Sequence, residues 1–180
     1  MSTKIFKIRF LNNRQGFTLL ELLLSLAITG ILIGATVSNF HSGGKNESVR
    51  LAARLGEAAL RQAQTMTLTG ALNDGTFPSG GYGVRFDVST PAILALFADN
   101  NNNHAFDAGE EVMVERKTLP PNSSFSLGSS LDVVFSSPEG TVFFNGASAP
   151  DTQVITFGST GSLITKTVTI YRLSGQVRLQ

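Results

Sequence analysis

Two places in this 180-residue sequence carry side chains whose types and spacing could do chemistry. The first is Glu21, the single charged residue in the apolar run from Phe17 to Val37. A carboxylate costs roughly 2.5–3.5 kcal/mol at mid-bilayer and less near the end of a span, so its presence calls for a partner of opposite charge. The second is "DNNNNHAFDAGE", residues 99 to 110. Counting from Asp99, oxygen-bearing side chains fall at the first, third and fifth positions (Asp99, Asn101, Asn103). The Ala105 carbonyl falls at the seventh, Phe106 is apolar at the eighth, and Glu110 closes at the twelfth. That is the ligand spacing of an EF-hand loop, and it predicts a Ca2+ site. His104 stands where such a loop needs glycine for its sharp turn, and asparagines replace charged ligands, so binding is expected only in the extracellular range of about 0.1–1 mM. The competing reading is a polar hairpin loop that holds no metal.

Other chemistry has little to stand on. There is no cysteine, which removes disulfides, thiolate nucleophiles and thiolate-bound metals. His41 and His104 are the only histidines, and no G-x-S-x-G, H-E-x-x-H or phosphate loop is present. A Ser/His/acid triad needs only proximity in space, but no constellation marks one, and the chain is not expected to be an enzyme. Lys4, Lys7, Arg9 and Arg14 lie in an acid-free N-terminal stretch, so the rest holds 10 basic against 13 acidic side chains. That mild acidity offers nothing to a phosphate backbone, and no nucleic-acid partner is expected.

The element that must position Glu21 is a helix. Phe17 to Val37 is 21 residues, roughly 30 Å at helical rise and enough to cross a bilayer. The four preceding cations keep the N-terminus cytoplasmic, with the rest of the chain outside. A cleavable secretory signal would have a shorter apolar core of roughly 7–15 residues. A plain anchor fits the length but has no use for an ionisable group. A third reading supplies the partner: a cut between Gly16 and Phe17 would create an α-amino group four residues from Glu21, and in a bundle of such helices one subunit's carboxylate can meet its neighbour's ammonium.

The stretch "GFTLLELLLSLAITGIL" resembles the class III signal of type IV pilins and type II secretion pseudopilins: a short basic leader, Gly16, then Phe17 to Glu21 and an apolar helix. The resemblance implies that prepilin peptidase removes residues 1–16 and that Phe17 is N-methylated. It also implies that Glu21 docks a neighbour's amino terminus during assembly on an inner-membrane platform. Gly30 and Gly34 form a G-x-x-x-G pair suited to close helix packing. No proline interrupts the chain between Phe17 and Phe77, but Gly43 and Gly44 predict a weak point, since adjacent glycines cost a helix roughly 1 kcal/mol each.

Beyond the glycine pair, Val49, Ala52, Ala53, Leu60, Ala63 and Thr67 share one face of an amphipathic helix, which Gly56 weakens. After Gly80 the period becomes two: Tyr82, Val84, Phe86 and Val88 alternate with Arg85 and Asp87, and about eight short strands follow one another without helices. Ser174 and Gly175 predict a turn between the last two. The fold expected is α+β, a long N-terminal helix packed on an antiparallel sheet or on two stacked β-sheets. The expected divisions are a leader (1–16), a transmembrane assembly helix (17–40), an amphipathic helix (41–71) and a β-rich domain (80–180). The run "VVFSSPEGTVFF", "VITF", "VTIYRLSGQVRL" is similar to the GspH/FimT minor pseudopilins. That similarity implies a pilin fold and a minor subunit at or near the tip of a pilus or pseudopilus, whose partners are other pilins, the peptidase and membrane lipid. The alternatives are a major filament subunit, a calcium-binding adhesion domain carried on a filament, and a membrane-anchored enzyme.

Overall fold

The computed structural model describes residues 17–162 and 164–180, without the side-chain surroundings of 37–43 and 111–115. The leader with Gly16, and the surroundings of His41 and Gly43, therefore lie outside the described residues. The chain divides into two compact units, Met1–Phe40 and His41–Gln180. Helix α1 (Leu19–Thr69) contributes residues to both.

In the first unit α1 opens on a threonine cap: Glu21 N–H reaches Thr18 Oγ1 at 3.2 Å and Thr18 O at 3.1 Å. Leu19–Thr36 is long and apolar enough to cross a membrane, and none of it is buried within the chain. Its hydroxyls turn back onto the helix, Ser25 Oγ to Leu22 O (2.9 Å), Thr29 Oγ1 to Ser25 O (2.7 Å) and Thr36 Oγ1 to Leu32 O (3.0 Å). Hydroxyls satisfied in this way need no water and are compatible with hydrocarbon. A Cβ added at Gly30 or Gly34 would meet nothing within 4 Å, so no described contact inside the chain demands glycine there.

In the second unit the helix backbone is unbroken at Gly43 and Gly44. The expected stripe of Val49, Ala52, Ala53, Leu60, Ala63 and Thr67 is buried throughout. The helix stops at Gly70 (φ 65°), with Gly70 N–H on Thr67 O and Ala71 N–H on Met66 O, the paired bonds of a Schellman terminus.

Nine strands follow among the described residues: β1 (Gly81–Phe86), β2 (Ile93–Asp99), β3 (Glu111–Thr118), β4 (Ser123–Ser126), β5 (Leu131–Ser136), β6 (Thr141–Phe144), β7 (Thr152–Ser159), β8 (Lys166–Tyr171) and β9 (Val177–Leu179). They form two antiparallel sheets, ordered β3-β2-β1-β5-β6 and β4-β7-β8-β9. Tyr82, Val84, Phe86, Val133 and Phe135 of the first sheet join Ile155, Phe157, Val168 and Ile170 of the second and Leu60 and Ala63 of α1 in one core. Thr67 ties helix to sheet, its hydroxyl donating to Phe135 O (3.0 Å) and accepting from Tyr82 N–H (2.9 Å).

Three details differ from the sequence expectation. Strand β4 is additional, because "SSFS" shows one apolar residue, Phe125, and no periodicity. Strand β1 ends at Phe86, and Val88 is 43% exposed because Asp87 starts a turn that accepts the Ser89 and Thr90 N–H groups. The last hairpin closes through Arg172 to Gly175, with Tyr171 N–H on Gln176 O at 2.9 Å and Gly175 at φ 64°.

Gly56 also acquires a reason. Its position faces the buried Phe157 ring so closely that a Cβ and the ring could not both fit. Gly56→Ala gains about 1 kcal/mol of helix propensity but overpacks the core at a cost of roughly 1–3 kcal/mol, so a net loss of about 1 kcal/mol is expected. Gly44→Ala, with open space around it, is expected to show only the gain. Thermal melts of the two full-length variants check the opposite signs.

Candidate functional site

Glu21 lies three residues beyond the Thr18 cap, in the first turn of α1. A carboxylate there is favoured by the partial positive charge of the helix start, typically by 0.3–1 kcal/mol. Among the described residues it has no hydrogen-bonding or ionic partner. Around it Phe17, Leu19 and Leu20 are 82%, 81% and 75% exposed, and apolar side chains down to Ile33 stay bare on every side of the helix. A helix apolar all round is satisfied only by lipid or by other helices. The T-x-x-E spacing of Thr18 and Glu21 is the signature of an N-cap. That signal was legible in the sequence, yet the reading of Glu21 passed over it.

The 99–110 loop is not a free hairpin tip. It folds back onto the five-stranded sheet, on the side away from the shared core. The His104 ring stacks on Phe143 (centroids 3.9 Å apart, planes 21°), and Phe106 meets Phe97 edge-on at 5.4 Å. The Arg85 guanidinium lies 4.7 Å from the Phe106 ring centroid, and Phe106 N–H donates to Asp132 Oδ2 at 3.1 Å. Gly146 N–H closes the fit on His104 O at 2.8 Å. Phe97 and Val134 are fully buried although they lie outside the core cluster, because the loop covers their face of the sheet.

Asp99, fully buried, organises the loop. Its oxygens accept Asn103 N–H (3.2 Å) and His104 N–H (2.8 Å), and His104 Nδ1 is 3.2 Å from Oδ2. His104 adopts φ 59°, so the left-handed turn expected to need glycine is made by a histidine, held there by Asp99 and Phe143. For a residue with a Cβ that conformation costs roughly 1–2 kcal/mol, which these contacts offset.

Asn101 and Asn103 meet on Asp107 Oδ2, each donating its amide N–H, at 2.6 and 2.7 Å. Asp107, the ninth loop position, is the residue the sequence reading omitted, although the spacing alone could have supplied it. Ala105 N–H donates to Asn103 Oδ1 at 2.9 Å. Glu110, nearly buried, accepts Asn100 N–H (3.1 Å) on one oxygen and Asp107 N–H (3.0 Å) on the other. Among the described residues no three His, Cys, Asp or Glu side chains converge closely enough to hold a metal by themselves. A cation here would depend on amide oxygens, with the Asn101 and Asn103 amides turned so that oxygen faces inward. Beneath the loop, burial pushes the Asp132 carboxyl above the usual carboxylate range, against the opposing effects of Phe106 N–H and Arg85.

The described residues thus combine an exposed apolar N-terminal helix, long enough to cross a membrane and carrying one acid in its first turn, with an antiparallel α+β unit. Residues 11–37 match the family model for the prokaryotic N-terminal methylation motif. This motif is a type IV pilin-like prepilin signal, and it implies processing by prepilin peptidase and assembly with other pilins or pseudopilins. Neither the curated proteins nor the solved structures give a match to the chain.

Proposed function

We propose that this chain is a non-catalytic pilin-type filament subunit. Prepilin peptidase cuts after Gly16 and Phe17 is methylated. The chain sits in the cytoplasmic membrane with its C-terminal unit outside, and α1 assembles it with other subunits on an inner-membrane platform. The observation that carries this reading is the methylation motif over 11–37, which overlaps, from Leu19 onward, a helix whose apolar side chains down to Ile33 are exposed. The similarity of the run from Val133 to Leu179, closing in the β8–β9 hairpin, to GspH/FimT minor pseudopilins supports a minor subunit of that kind, with the fold of a pilin, at or near a filament tip. A repeating, major subunit is the second reading, supported by the two-ended charge distribution taken up below. The test is the intact mass of the full chain co-expressed with a prepilin peptidase. Wild type is expected to lose residues 1–16 and Gly16→Val to stay whole; a wild-type chain that keeps its leader overturns the reading.

The 99–110 loop adds a ligand to this proposal, supported by the grouping of Asn101, Asn103 and Asp107 beside Asp99. Calcium at about 1 mM is expected to raise the melting temperature of the full chain above its value in chelator, in keeping with an affinity of about 0.1–1 mM. Equal melting temperatures in calcium and chelator leave the loop as a hydrogen-bonded cover for the sheet and remove the ion.

A further inference from the structure

The second unit is electrostatically two-ended. Toward the start of its α1 segment, Arg50, Arg54, Lys166 and Leu179 line a groove of about 300 Å³, three cations and a leucine with no acid in the lining. Arg50 has a loose contact with Glu47 at 3.8 Å, both side chains being more than half exposed. Arg54 and Lys166 have no ionic partner among the described residues. Glu57, one turn further on, is taken by Arg61 at 2.8 Å. Leu51 adds an exposed apolar surface beside Arg50.

The other end of the same helical segment carries one exposed acid, Glu139, and exposed apolar side chains, beside the β8–β9 turn, whose Arg172 is paired with Asp151. Leu68 is fourteen residues beyond Arg54, about 21 Å along the helix. There the β5–β6 and β8–β9 turns converge on α1. A Cβ on Gly140 would stand 3.3 Å from Leu68 and one on Gly175 3.0 Å from Gly140 O, and Gln64 Nε2 donates to Gly175 O at 3.0 Å. This end presents an exposed Glu139 next to Gly140, which faces Leu68, and Leu68 and Leu173 are 56% and 75% exposed. Exposed leucines near Glu139 at one end, and an exposed leucine beside Arg50 near Arg54 and Lys166 at the other, are complementary surfaces that one molecule cannot bring together by itself.

We propose that the Arg50–Arg54–Lys166 groove docks the Glu139 end of a second copy of this chain, so that the β-rich units stack end to end. Such a contact is heterologous, and it propagates as a filament when the rotation per step does not close a ring. It deepens the repeating-subunit reading above and rests on it. Opposite charges meeting at the rim fix the register, while the leucines supply the apolar contact.

The absence of native cysteine makes the test clean. Arg54→Cys and Glu139→Cys chains, full-length and co-expressed with prepilin peptidase in one membrane, are oxidised and scored for disulfide-linked dimer, with Val154→Cys paired to Glu139→Cys as the control. The first pair is expected to cross-link and the control pair is not. In separate Lys166→Cys and Ser137→Cys reporters at the same interface, Arg54→Glu is expected to lower the dimer on the order of tenfold, and Glu139→Lys on the partner to restore it. Absence of the first cross-link, equal cross-linking of the control pair, or failure of the charge swap to restore dimer overturns the proposal. So does a disulfide from position 54 to another protein alone. Intact mass of the same samples separates the two levels. Cleaved chains without this cross-link sink end-to-end stacking and leave the assembly reading standing, whereas uncleaved chains sink the assembly reading itself.

Discussion

Glu21→Ala is expected to leave removal of residues 1–16 unchanged and to lower incorporation into filaments by more than tenfold. Within one chain the carboxylate contributes little: it sits in the first turn of α1, capped by Thr18, where an acid is worth about 0.3–1 kcal/mol to the helix. A loss that small could not stop assembly. Once helices pack in an apolar environment, the terms change. The ammonium on Phe17 released by the cut, still cationic after methylation, would be left without a counter-charge, and breaking a buried pair by removing one partner costs roughly 3–5 kcal/mol. Glu21→Gln keeps the size and hydrogen-bonding capacity but not the charge, and is expected to fall nearly as far. Incorporation is read as the fraction of cleaved subunit recovered in sheared filaments or in cross-linked assemblies. Wild-type levels for both variants would reduce Glu21 to a helix-start acid and remove its role in assembly.

Asp99→Ala is expected to destabilise the β-rich unit by about 2–5 kcal/mol. The side chain is fully buried and accepts the N–H groups of Asn103 and His104. Asn103 N–H keeps Asn101 Oδ1 at 3.0 Å, so the donor left without a partner is His104 N–H, at a cost of roughly 1–3 kcal/mol. Truncation also releases His104 from a backbone conformation that its contacts with Asp99 help to hold. Once that turn relaxes, Phe97 and Val134 lose part of their cover. Asp99→Asn can accept one of the two N–H groups but turns its own donor toward the other, so an intermediate loss is expected. At roughly 2–4 °C per kcal/mol for a domain of this size, the alanine variant should melt about 4–20 °C lower. An unchanged melting temperature would mean that the loop does not depend on Asp99 for its place on the sheet.

Much of the core face was legible along the chain, and the reason is periodicity. The stripe from Val49 to Thr67 repeats at helical spacing and is buried in full, and Tyr82, Val84 and Phe86 alternate as a strand with one face inward should. Where the pattern was short or one-sided it failed. Phe125 alone could not announce β4, which exists because its backbone pairs with β7 over Ser123↔Ser159 to Ser126↔Thr156. Val88 continued the alternation in sequence but left the sheet, because the Asp87 carboxylate favours a local turn over another rung of the ladder.

By itself the sequence determined the apolar helix, its lone glutamate, the methylation motif and the mixed α+β character, since length, charge and periodicity act along the chain and need no partner. Only the tertiary structure decided why Gly56 is glycine, how His104 can occupy a glycine position, and that the 99–110 loop closes over Phe97 and Val134 rather than standing free. Each of these depends on a contact between residues far apart in the chain, Gly56 with Phe157, His104 with Phe143, Phe106 with Asp132. Local spacing does not encode such pairings, because they are settled by which surfaces remain to be buried once the helix and the two sheets have packed.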